Sequence, residues 1–381
     1  MEEVAILGVG QTPVREHWQL SLREMAVSAG RAAMEDGGIE RVGAILIGNM
    51  TSGTINQQRH LGALIADFLG QKGVEAVKVE AACGSAGSAM RQGIMAVASG
   101  EIDSALVIGV EKMTETAGKE ITKALTGAAD ADYEVIQGVS FVGLNALLMR
   151  RYMHEYGYDH DDFAPFALNA HKNGAKNPHA LFRREITTRE FQEGRMVSEP
   201  VTLYDASPIG DGAAALLLVP AKKAPQAIRV IGSAVSVDTL AIHDRDNPLW
   251  LDGAEISAQR AYAQAGVGPR DLDLFELHDA FSIMAALSLE ASGFADPGGG
   301  VNLAQRGEIL PGGSIPISTM GGLKARGHPV GATGLYQLVE AVLQLRGTAG
   351  EAQLDDVRTA MTQNIGGSGA TVVTHILARP S

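Results

Sequence analysis

Short apolar runs alternate with segments of helical periodicity along the chain. The apolar run at residues 4–9 precedes residues 22–34, where apolar side chains recur at helical spacing, and a second apolar run follows at residues 44–47. This order of strand-like and helix-like segments is typical of α/β folds. We therefore expect an α/β protein.

Three glycine-flanked blocks of the first half recur, in the same order, in the second half. The pairs are residues 77–81 with 272–277, 106–109 with 317–321, and 209–216 with 365–372. Self-similarity of this kind indicates a duplicated unit. The sequence therefore predicts two α/β halves related by duplication.

The spacing between the second and third blocks differs between the two halves. Gly109 and Gly212 are 103 positions apart, whereas the matching Gly321 and Gly369 are 48 positions apart. The longer interval predicts an insertion at residues 113–205, built from helices and loops rather than further strands.

The predicted domain boundaries follow from this insertion. Pro225 closes the junction Ala-Lys-Lys-Ala-Pro, and such a junction favours a boundary. The predicted domains are an N-terminal half of residues 1–112 and 206–224, the insertion of residues 113–205, and a C-terminal half of residues 225–381.

Length and charge limit the class of protein. The 381 residues provide enough chain for two domains with a sizeable core. With 31 basic and 44 acidic side chains the formal net charge is −13, which argues against nucleic acid or an anionic membrane as a partner. The longest apolar stretch, residues 213–220, is too short to cross a bilayer, and no signal-peptide pattern is present. We expect a soluble, cytoplasmic protein.

Cys83 is the only cysteine, which excludes an intrachain disulfide and a zinc site with several cysteines and suits a reducing compartment. It follows a strand-like segment and precedes a helical one that begins with Gly84. A thiol at such a turn faces free backbone N–H groups and the positive end of the helix dipole, both of which favour thiolate. Cys83 is therefore a nucleophile if a base lies nearby, and otherwise a small buried apolar residue.

His278 and His328 are the candidate bases. His278 follows an apolar strand in Leu-His-Asp-Ala-Phe, and Asp279 is expected to cap the next helix. His328 lies in the glycine-rich segment 321–334. Both stand at strand ends beside turns, where open sheets build sites, although each could equally be a hydrogen-bonded core histidine. The rival interpretation of residues 331–334, phosphate binding at a helix start, lacks the Gly-Lys-Ser/Thr ending of a P-loop.

Two further patterns carry less weight as sites. The run Gly-Val-Gly-Gln-Thr-Pro at residues 8–13 resembles part of a dinucleotide-binding loop, but Pro13 replaces the third glycine. Four histidines of the insertion lack the spacing of metal ligands and are interpreted as solvated: His154, His160, His171 and His179. No metal ion is predicted.

Six segments together resemble the thiolase superfamily and extend over essentially the whole chain. They are residues 81–87 (AACGSAG), 109–113 (GVEKM), 207–215 (SPIGDGAAA), 278–281 (HDAF), 327–334 (GHPVGATG) and 364–369 (NIGGSG). The His-Asp-Ala-Phe form is similar to the sterol-carrier-type and archaeal acetyl-CoA acetyltransferase branch. The resemblance implies a five-layer αβαβα fold of two fused halves, an insertion that binds coenzyme A, and a homodimer or homotetramer.

The resemblance also implies roles for individual residues. Cys83 would take the acyl group as a thioester, and His328 would accept its proton. His278 and His328 would form one oxyanion hole, and the backbone N–H groups of Cys83 and Gly366 another. Coenzyme A would be a substrate and product rather than a tightly bound cofactor.

Asn364 is a departure from the family pattern. Many thiolases carry a second cysteine there as the acid and base for the condensing carbon, and the sterol-carrier branch carries one at the position of Ala280. This chain has neither, and an amide has no usable basicity. Removal of the proton from the condensing methyl group is therefore assigned first to His278 and second to His328.

The resulting prediction is an acyltransferase that joins two acetyl-CoA to acetoacetyl-CoA, or cleaves a 3-ketoacyl-CoA, through acyl-Cys83. Two alternatives stay open. One is a C-acylation enzyme or retro-aldolase-type C–C lyase that works with an OB-fold and zinc-ribbon subunit, as relatives of this branch often do. The other is a non-catalytic acyl-CoA binder.

Overall fold

The computed structural model describes residues 2–380, which form one mixed nine-stranded sheet, a separate two-stranded sheet and covering helices. The strands are β1 Val4–Gln11, β2 Ala44–Gly48, β3 Glu75–Val79, β4 Ala105–Glu111, β5 Met196–Ser198, β6 Val201–Thr202, β7 Gly212–Pro220, β8 Ile228–Val237, β9 Leu274–Glu276, β10 Thr359–Gly366 and β11 Thr371–Ala378. The α-helices are α1 Leu22–Asp36, α2 Leu61–Phe68, α3 Ser85–Ala98, α4 Gly118–Thr126, α5 Phe141–Tyr156, α6 Ala164–Gly174, α7 Thr188–Gln192, α8 Asp252–Ala265, α9 Ser282–Ala291, α10 Gly300–Gln305 and α11 Thr333–Arg346.

The strand order shows the duplication directly. The sheet runs β3-β2-β4-β7-β1-β8-β11-β10-β9, and the two halves join where β1 pairs antiparallel with β8. Outward from this junction, each half has two antiparallel pairings followed by a parallel one. Beyond β9, Ile317 bridges Phe275 in parallel and takes the place that β3 has in the first half. The prediction of two duplicated α/β halves is confirmed.

Two of the three predicted block pairs are nevertheless wrong. By position in the sheet, β3 corresponds to the segment at Ile317, and β2 corresponds to β9. Only the third pair, which leads into β7 and β11, matches. Short apolar blocks flanked by glycine resemble one another, and their correspondence depends on sheet order, which is a tertiary property.

Alternate residues of the strands face two different cores. On β2, Leu46 faces α3 and α11, which pack against each other between the two halves, whereas Ile45 and Ile47 face α1 and α2. On the C-terminal half, α8 and α9 cover the outer face. Each half of the nine-stranded sheet forms one layer, so the order of layers is helix, sheet, helix, sheet and helix. Burial on both faces explains the continuous apolar runs of the strands.

The helix α1 packs closely on the backbone of β1. A Cβ atom on Gly8 would lie 2.1 Å from the carbonyl oxygen of Ala33, and one on Gly10 would lie 2.3 Å from that of Ala29. The glycines of the segment 8–13 therefore allow close contact between helix and strand, and this packing accounts for them without a dinucleotide-binding role.

Residues between β4 and β7 add no strand to the nine-stranded sheet. They form α4 to α7, with β5 and β6 as an unpredicted antiparallel pair, and otherwise match the predicted helices and loops. Phe163, Phe166 and Phe191 of this segment join the core of the C-terminal half. Among residues 2–380, no helix combines the length and apolar character needed to cross a membrane.

Candidate active site

Cys83 lies in a tight turn between β3 and α3. Ala82 has a φ of 51°, in the left-handed region that non-glycine residues rarely adopt. The Ser85 hydroxyl holds this turn, because its Oγ donates to the carbonyl oxygen of Ala82 over 2.6 Å and accepts the N–H of Ala81 over 2.9 Å. The thiol therefore stands at the N-terminus of α3, where the sequence pattern predicts it.

The thiol opens into a largely apolar cavity of about 150 Å³, which we call the catalytic cavity. Its walls come from both halves and from the insertion: Met50, Cys83, Leu125, Ala128, Phe141, Val142, Asn145, Ala206, Ser207, Ile209, His278, Ala280, Phe281, Met284, His328, Val330 and Gly367. The structure thus brings Cys83, His278 and His328 together, with one sulfur or nitrogen atom of each within 4.8 Å of the others.

Cys83, His278 and His328 are also the one group of three or more potential metal ligands in residues 2–380 whose ligand atoms are close enough together to hold a metal ion. A thiolate and two imidazoles are ligands that suit zinc, and the same three groups suit covalent catalysis by a cysteine. The absence of a metal stays a prediction.

The Cys83 thiol resists ionisation. Burial, reinforced by the Glu111 carboxylate, raises its pKa to about 12, while the backbone N–H groups of Cys83 and Gly367 act in the opposite direction. The expected preference for thiolate is therefore wrong, because desolvation of the sulfur outweighs the helix terminus. The thiol is protonated at neutral pH, so a nucleophilic role requires a base.

The glycine N–H group directed at the sulfur belongs to Gly367. Gly366, which the resemblance implies, is the last residue of β10, and it does not line the catalytic cavity. A Cβ atom on Gly366 would lie 2.4 Å from the carbonyl oxygen of Ala81, so this glycine lets β10 approach the cysteine turn. The geometry therefore places Gly366 in packing and Gly367 beside the thiol.

His278 follows β9 and is buried, and its hydrogen bond fixes the position of its proton. Its Nδ1 lies 3.3 Å from Nδ2 of Asn364, whose Oδ1 accepts the N–H of Gly87 over 3.3 Å. Because an amide nitrogen only donates, Nδ1 is the acceptor and the neutral ring carries its proton on Nε2. Burial, with the charge of Arg326 adding to it, lowers the pKa of His278 to about 3.

Asn364 lies between glycines of the two central helices. A Cβ atom on Gly87 of α3 would lie 2.9 Å from its Oδ1, and one on Gly334 of α11 would lie 2.4 Å from it. Asn364 does not line the catalytic cavity, whereas Ala280 does. Of the two positions where relatives carry a second cysteine, position 280 faces the cavity and position 364 lies behind His278.

His328 lies between the π-helical turn Gly322–Arg326 and α11. Its backbone N–H donates to Pro208, and its Nδ1 lies 2.6 Å from Oγ1 of Thr333. A hydroxyl donates or accepts by rotating, so His328 can present either a lone pair or an N–H at Nε2. Burial, together with His278 and Arg326, holds the pKa of His328 well below its ordinary value.

The two histidines are held against each other by Asp279. Its carboxylate accepts the N–H of Leu323 over 2.7 Å and the hydroxyl of Ser318 over 3.1 Å. Both Asp279 oxygens are thus bound by the segment that leads to His328. Asp279 therefore does not cap α9, which begins without a side-chain cap. The two imidazole rings meet edge to face with centroids 5.2 Å apart.

Arg326 is a buried charge near the site that the sequence pattern does not reveal. Its side chain is fully buried, with Cζ 4.9 Å from the Tyr336 ring centroid and Nε 3.4 Å from Oε1 of Glu340. Its charge lowers the pKa of both catalytic-cavity histidines. The available signal was its place in the glycine-rich segment that carries His328.

Glu111 at the end of β4 lies in the family-like segment 109–113, but no role is assigned to it from the sequence. Its carboxylate accepts hydrogen bonds from Asn49 Nδ2, Met50 N, Thr51 N and Gly331 N, at distances of 2.6 to 3.0 Å. The N–H groups of Gly331 and Ala332 are taken by Glu111 and by the carbonyl oxygen of Pro329, which argues against the phosphate interpretation of residues 331–334.

A second cavity of about 530 Å³ adjoins the catalytic cavity, and Ala206 and Ser207 line both. Three basic side chains, Arg184, Arg195 and Lys324, line this second cavity together with two acidic ones, Glu190 and Glu193, and Arg184 forms an ion pair with Glu190. The basic residues of the insertion are divided by the fold, because Lys176 and Arg183 line a different cavity.

The interpretation of the four insertion histidines as solvated is wrong for most of them. His154 is exposed, but His171 is buried, and His160 Nε2 lies 2.7 Å from Asp205 Oδ2. His171 and His160 each stack on a phenylalanine ring. The partners Asp205, Phe182 and Phe191 all belong to the insertion, so contacts within the insertion contribute to this burial.

Two duplicated halves that meet at one thiol and two neutral imidazoles form the architecture of an acyl-transferring enzyme. Residues 4–222 match the family described as "Thiolase, N-terminal domain", and residues 234–379 match "Thiolase C-terminal domain-like". The chain belongs to the thiolase family and has its fold.

Three known proteins illustrate the relationship. The chain is 42% identical to the acetyl-CoA acetyltransferase of Methanothermobacter thermautotrophicus, over 100% of both chains. It is 36% identical to that of Methanocaldococcus jannaschii, over 99% of both. A solved structure titled "Ltp2-ChsH2(DUF35) aldolase" superposes with a TM-score of 0.88 at 25% identity, covering 99% of this chain and 98% of that one.

Proposed function

We propose that the protein is an acetyl-CoA C-acetyltransferase, which joins two acetyl-CoA to acetoacetyl-CoA or runs the reverse thiolysis, through acetyl-Cys83. The observation that carries this proposal is the grouping of Cys83, His278 and His328 within 4.8 Å in a small apolar cavity. The names of the relatives at 42% and 36% identity support acetyl-CoA as the substrate.

In the first half-reaction the protonated Cys83 thiol gives its proton to His328 and attacks the thioester carbonyl carbon of acetyl-CoA. The carbonyl oxygen becomes negative and accepts hydrogen bonds from the backbone N–H groups of Cys83 and Gly367. The carbon–sulfur bond to coenzyme A then breaks, and His328 returns the proton to the leaving thiolate. The products are acetyl-Cys83 and coenzyme A.

In the second half-reaction His328 removes a proton from the methyl group of a second acetyl-CoA. Nε2–H of His278 donates to the enolate oxygen, a role for which its fixed tautomer suits it. The enolate carbon attacks acetyl-Cys83, acetoacetyl-CoA forms, and the Cys83 sulfur recovers the proton from His328. The hydrogen bonds thus favour His328 over His278 as the base, the reverse of the order expected from the sequence.

The insertion, residues 113–205, is proposed to bind coenzyme A. The second cavity supports this, because its three basic side chains outnumber its two acidic ones, Glu190 and Glu193, and because its wall at Ala206 and Ser207 continues into the catalytic cavity. Cationic side chains suit the phosphates of coenzyme A. Coenzyme A would enter there and place its thioester at Cys83.

The size of the catalytic cavity supports short acyl chains. An engineered protein cavity of similar volume, about 150 Å³, holds a molecule of the size of benzene. Acetyl and acetoacetyl groups are smaller than this limit, whereas long fatty acyl chains exceed it.

The proposal is tested by following acetylation of Cys83 and formation of acetoacetyl-CoA from acetyl-CoA. We expect mass spectrometry to find an acetyl group on the Cys83 peptide and coenzyme A to be released in equal amount. Cys83→Ala should keep the fold and lose both reactions. Formation of acetoacetyl-CoA by this variant would refute the proposal, and binding of acetyl-CoA without acetylation of Cys83 would favour a non-catalytic binder.

A second candidate is a retro-aldolase-type C–C lyase or C-acylation enzyme that works with an OB-fold and zinc-ribbon subunit. Two observations favour it: the 0.88 superposition on a structure titled as an aldolase, and Asn364 and Ala280 at the second-cysteine positions. Cleavage of a 3-hydroxyacyl-CoA that depends on an added accessory subunit, without acetoacetyl-CoA synthesis, would favour this candidate.

The protein is further proposed to act as a homodimer or homotetramer in the cytoplasm. β3 is an open edge of the sheet, whereas the opposite edge at β9 is bridged by Ile317. Open edges favour pairing with another chain. A reducing compartment suits a reaction that needs the single thiol of the chain in reduced form.

A further inference from the structure

Asn145 is a polar residue in the wall of the catalytic cavity that the proposed reaction does not use. It lies on α5, is 2% exposed, and lines the cavity beside Phe141 and Val142. Its Nδ2 donates to the carbonyl oxygen of Phe141 over 2.9 Å, whereas its Oδ1 is buried and has no hydrogen-bond partner among residues 2–380.

The orientation of this amide is fixed by its neighbour. Exchanging the amide oxygen and nitrogen would place Oδ1 against the carbonyl oxygen of Phe141, where two acceptors repel each other. Nδ2 is therefore tied to the helix backbone, and Oδ1 is the atom left for a ligand. A buried acceptor without a partner is costly, and an apolar side chain here would avoid that cost.

The missing donor is expected on the acyl group of the substrate. The two cavities share Ala206 and Ser207, and no residue of α5 lines the second cavity. The α5 wall therefore lies away from the side at which coenzyme A is proposed to enter. An acetyl group carries no hydrogen-bond donor, whereas a hydroxyl on a short acyl chain supplies one.

We propose that Asn145 is a specificity-determining residue whose Oδ1 accepts a hydrogen bond from a hydroxyl of the acyl chain, so that the site also takes short hydroxyacyl-CoA thioesters. This inference rests on the proposed function, because it requires acyl transfer to Cys83. Among acyl chains long enough to reach Asn145, a cavity that hydrogen-bonds a substrate hydroxyl selects against the analogue that lacks it, since the Asn145 oxygen then stays unpaired.

The test compares transfer of matched acyl groups from coenzyme A to Cys83, measured by mass spectrometry. The substrates are butyryl-CoA, 3-hydroxybutyryl-CoA and 4-hydroxybutyryl-CoA, with acetyl-CoA as the reference. We expect the wild-type enzyme to prefer one hydroxybutyryl group over butyryl by at least about tenfold in rate. Asn145→Leu, which removes the acceptor, should reduce this ratio to about one or below and speed butyryl transfer.

Two controls separate the hydroxyl contact from other effects. Val142→Leu changes the same wall without a polar atom, and it should keep the preference for the hydroxyl. Asn145→Ser, whose hydroxyl can donate to the carbonyl oxygen of Phe141 and still accept from a ligand, should keep more of the preference than Asn145→Leu. Thermal unfolding of each variant checks its fold, and the ratio of rates is independent of the fraction of folded enzyme.

Three outcomes would overturn the inference. One is a wild-type ratio near one. Another is a ratio that Asn145→Leu leaves unchanged, as an ordered water beside Oδ1 would produce. The third is an equal loss for all acyl groups, which would place the contact on the amide of the coenzyme A arm. If acetyl-CoA itself fails to acylate wild-type Cys83, the proposed function fails instead.

Discussion

The roles proposed for His278 and His328 differ because their hydrogen-bond partners differ. Asn364 can only donate to Nδ1 of His278, whereas the Thr333 hydroxyl can donate to His328 or accept from it. A group that takes up a proton and later releases it needs a partner that can both donate and accept, as the Thr333 hydroxyl can. The structure therefore gives a physical reason to separate an acid/base histidine from an oxyanion-binding one.

Asn364→Asp tests this separation with a side chain of the same shape. The carboxylate still accepts the N–H of Gly87, but it also accepts from Nδ1 of His278, so the neutral ring moves its proton to Nδ1 and loses the donor at Nε2. Removing one oxyanion donor costs about 10²–10³-fold in turnover, and we expect that loss in acetoacetyl-CoA synthesis at alkaline pH, where the ring is neutral. Nitrogen NMR of the His278 ring would detect the change of tautomer.

Asn364→Cys and Ala280→Cys are the matched comparison for the second-cysteine position. Asn364→Cys should give no gain in condensation rate because position 364 does not line the catalytic cavity, whereas position 280 does. Ala280→Cys should speed exchange of the acetyl-CoA methyl protons with deuterated solvent. A faster condensation in Asn364→Cys would contradict the placement of that residue behind His278.

The pH dependence of Cys83 alkylation tests the raised pKa of the thiol. In His328→Ala, which removes the assisting base, the rate should increase about tenfold per pH unit from neutral pH to about pH 10, because the thiolate fraction keeps rising below a pKa of about 12. A thiol with an ordinary pKa of about 8.5 would reach a plateau near pH 9. A plateau in that range would show that burial does not control the sulfur.

At the scale of elements, the sequence predicts the strands better than their correspondence. Strands such as β2 and β7 are buried on both faces, so their apolar runs are continuous and easily detected. The pairing of blocks between halves depends on sheet order, which an apolar pattern does not encode. The insertion was found because its length changes the spacing of glycines.

The site was predictable in its residues and not in its electrostatics. Cys83, His278 and His328 stand at turns after strands or strand-like segments, which local patterns mark. The rise in the pKa of Cys83, the tautomer of His278 and the burial of Arg326 arise from contacts between distant segments. Asn145 gave no signal, since its orphaned oxygen depends on how α5 packs on the cavity.

The strained turn between β3 and α3 can be tested at Ala82. A left-handed residue other than glycine costs roughly 1–2 kcal/mol, which Ala82→Gly relieves at an entropic cost of about 0.5–1 kcal/mol, so its free energy of unfolding should change little. Ala82→Val adds a β-branch in the same region and should lower both the free energy of unfolding and the rate of Cys83 acetylation. Urea unfolding and acetylation rates measure the two effects, and a Val variant with unchanged values would contradict the strained turn.

At the scale of the whole molecule, the duplication places the reacting groups at the junction of the halves. α3 and α11 occupy equivalent positions after β3 and the Ile317 segment, so Cys83 and His328 stand at the starts of equivalent helices. The two helices pack on each other, and Gly87 and Gly334 leave room between them for Asn364. The proposed reaction therefore requires both halves.

The edge strand β3 leads to the last prediction, a dimer formed by this strand and its copy. Val77 on β3 is 50% exposed, and α2 and α3, which contact β3, carry the exposed apolar side chains of Phe68 and Met95. Antiparallel pairing of two such edges across a twofold axis would join the two sheets and cover these side chains.

Val77→Asp would bring two carboxylates together at that axis, and like charges facing each other across strands are destabilising. We therefore expect analytical ultracentrifugation to find a dimer or tetramer for the wild-type protein and a smaller species for Val77→Asp. Val237→Asp is the matched control, because Val237 is equally apolar, 72% exposed, and lies at the end of β8 away from β3. A wild-type monomer, or equal behaviour of the two variants, would exclude β3 as the interface.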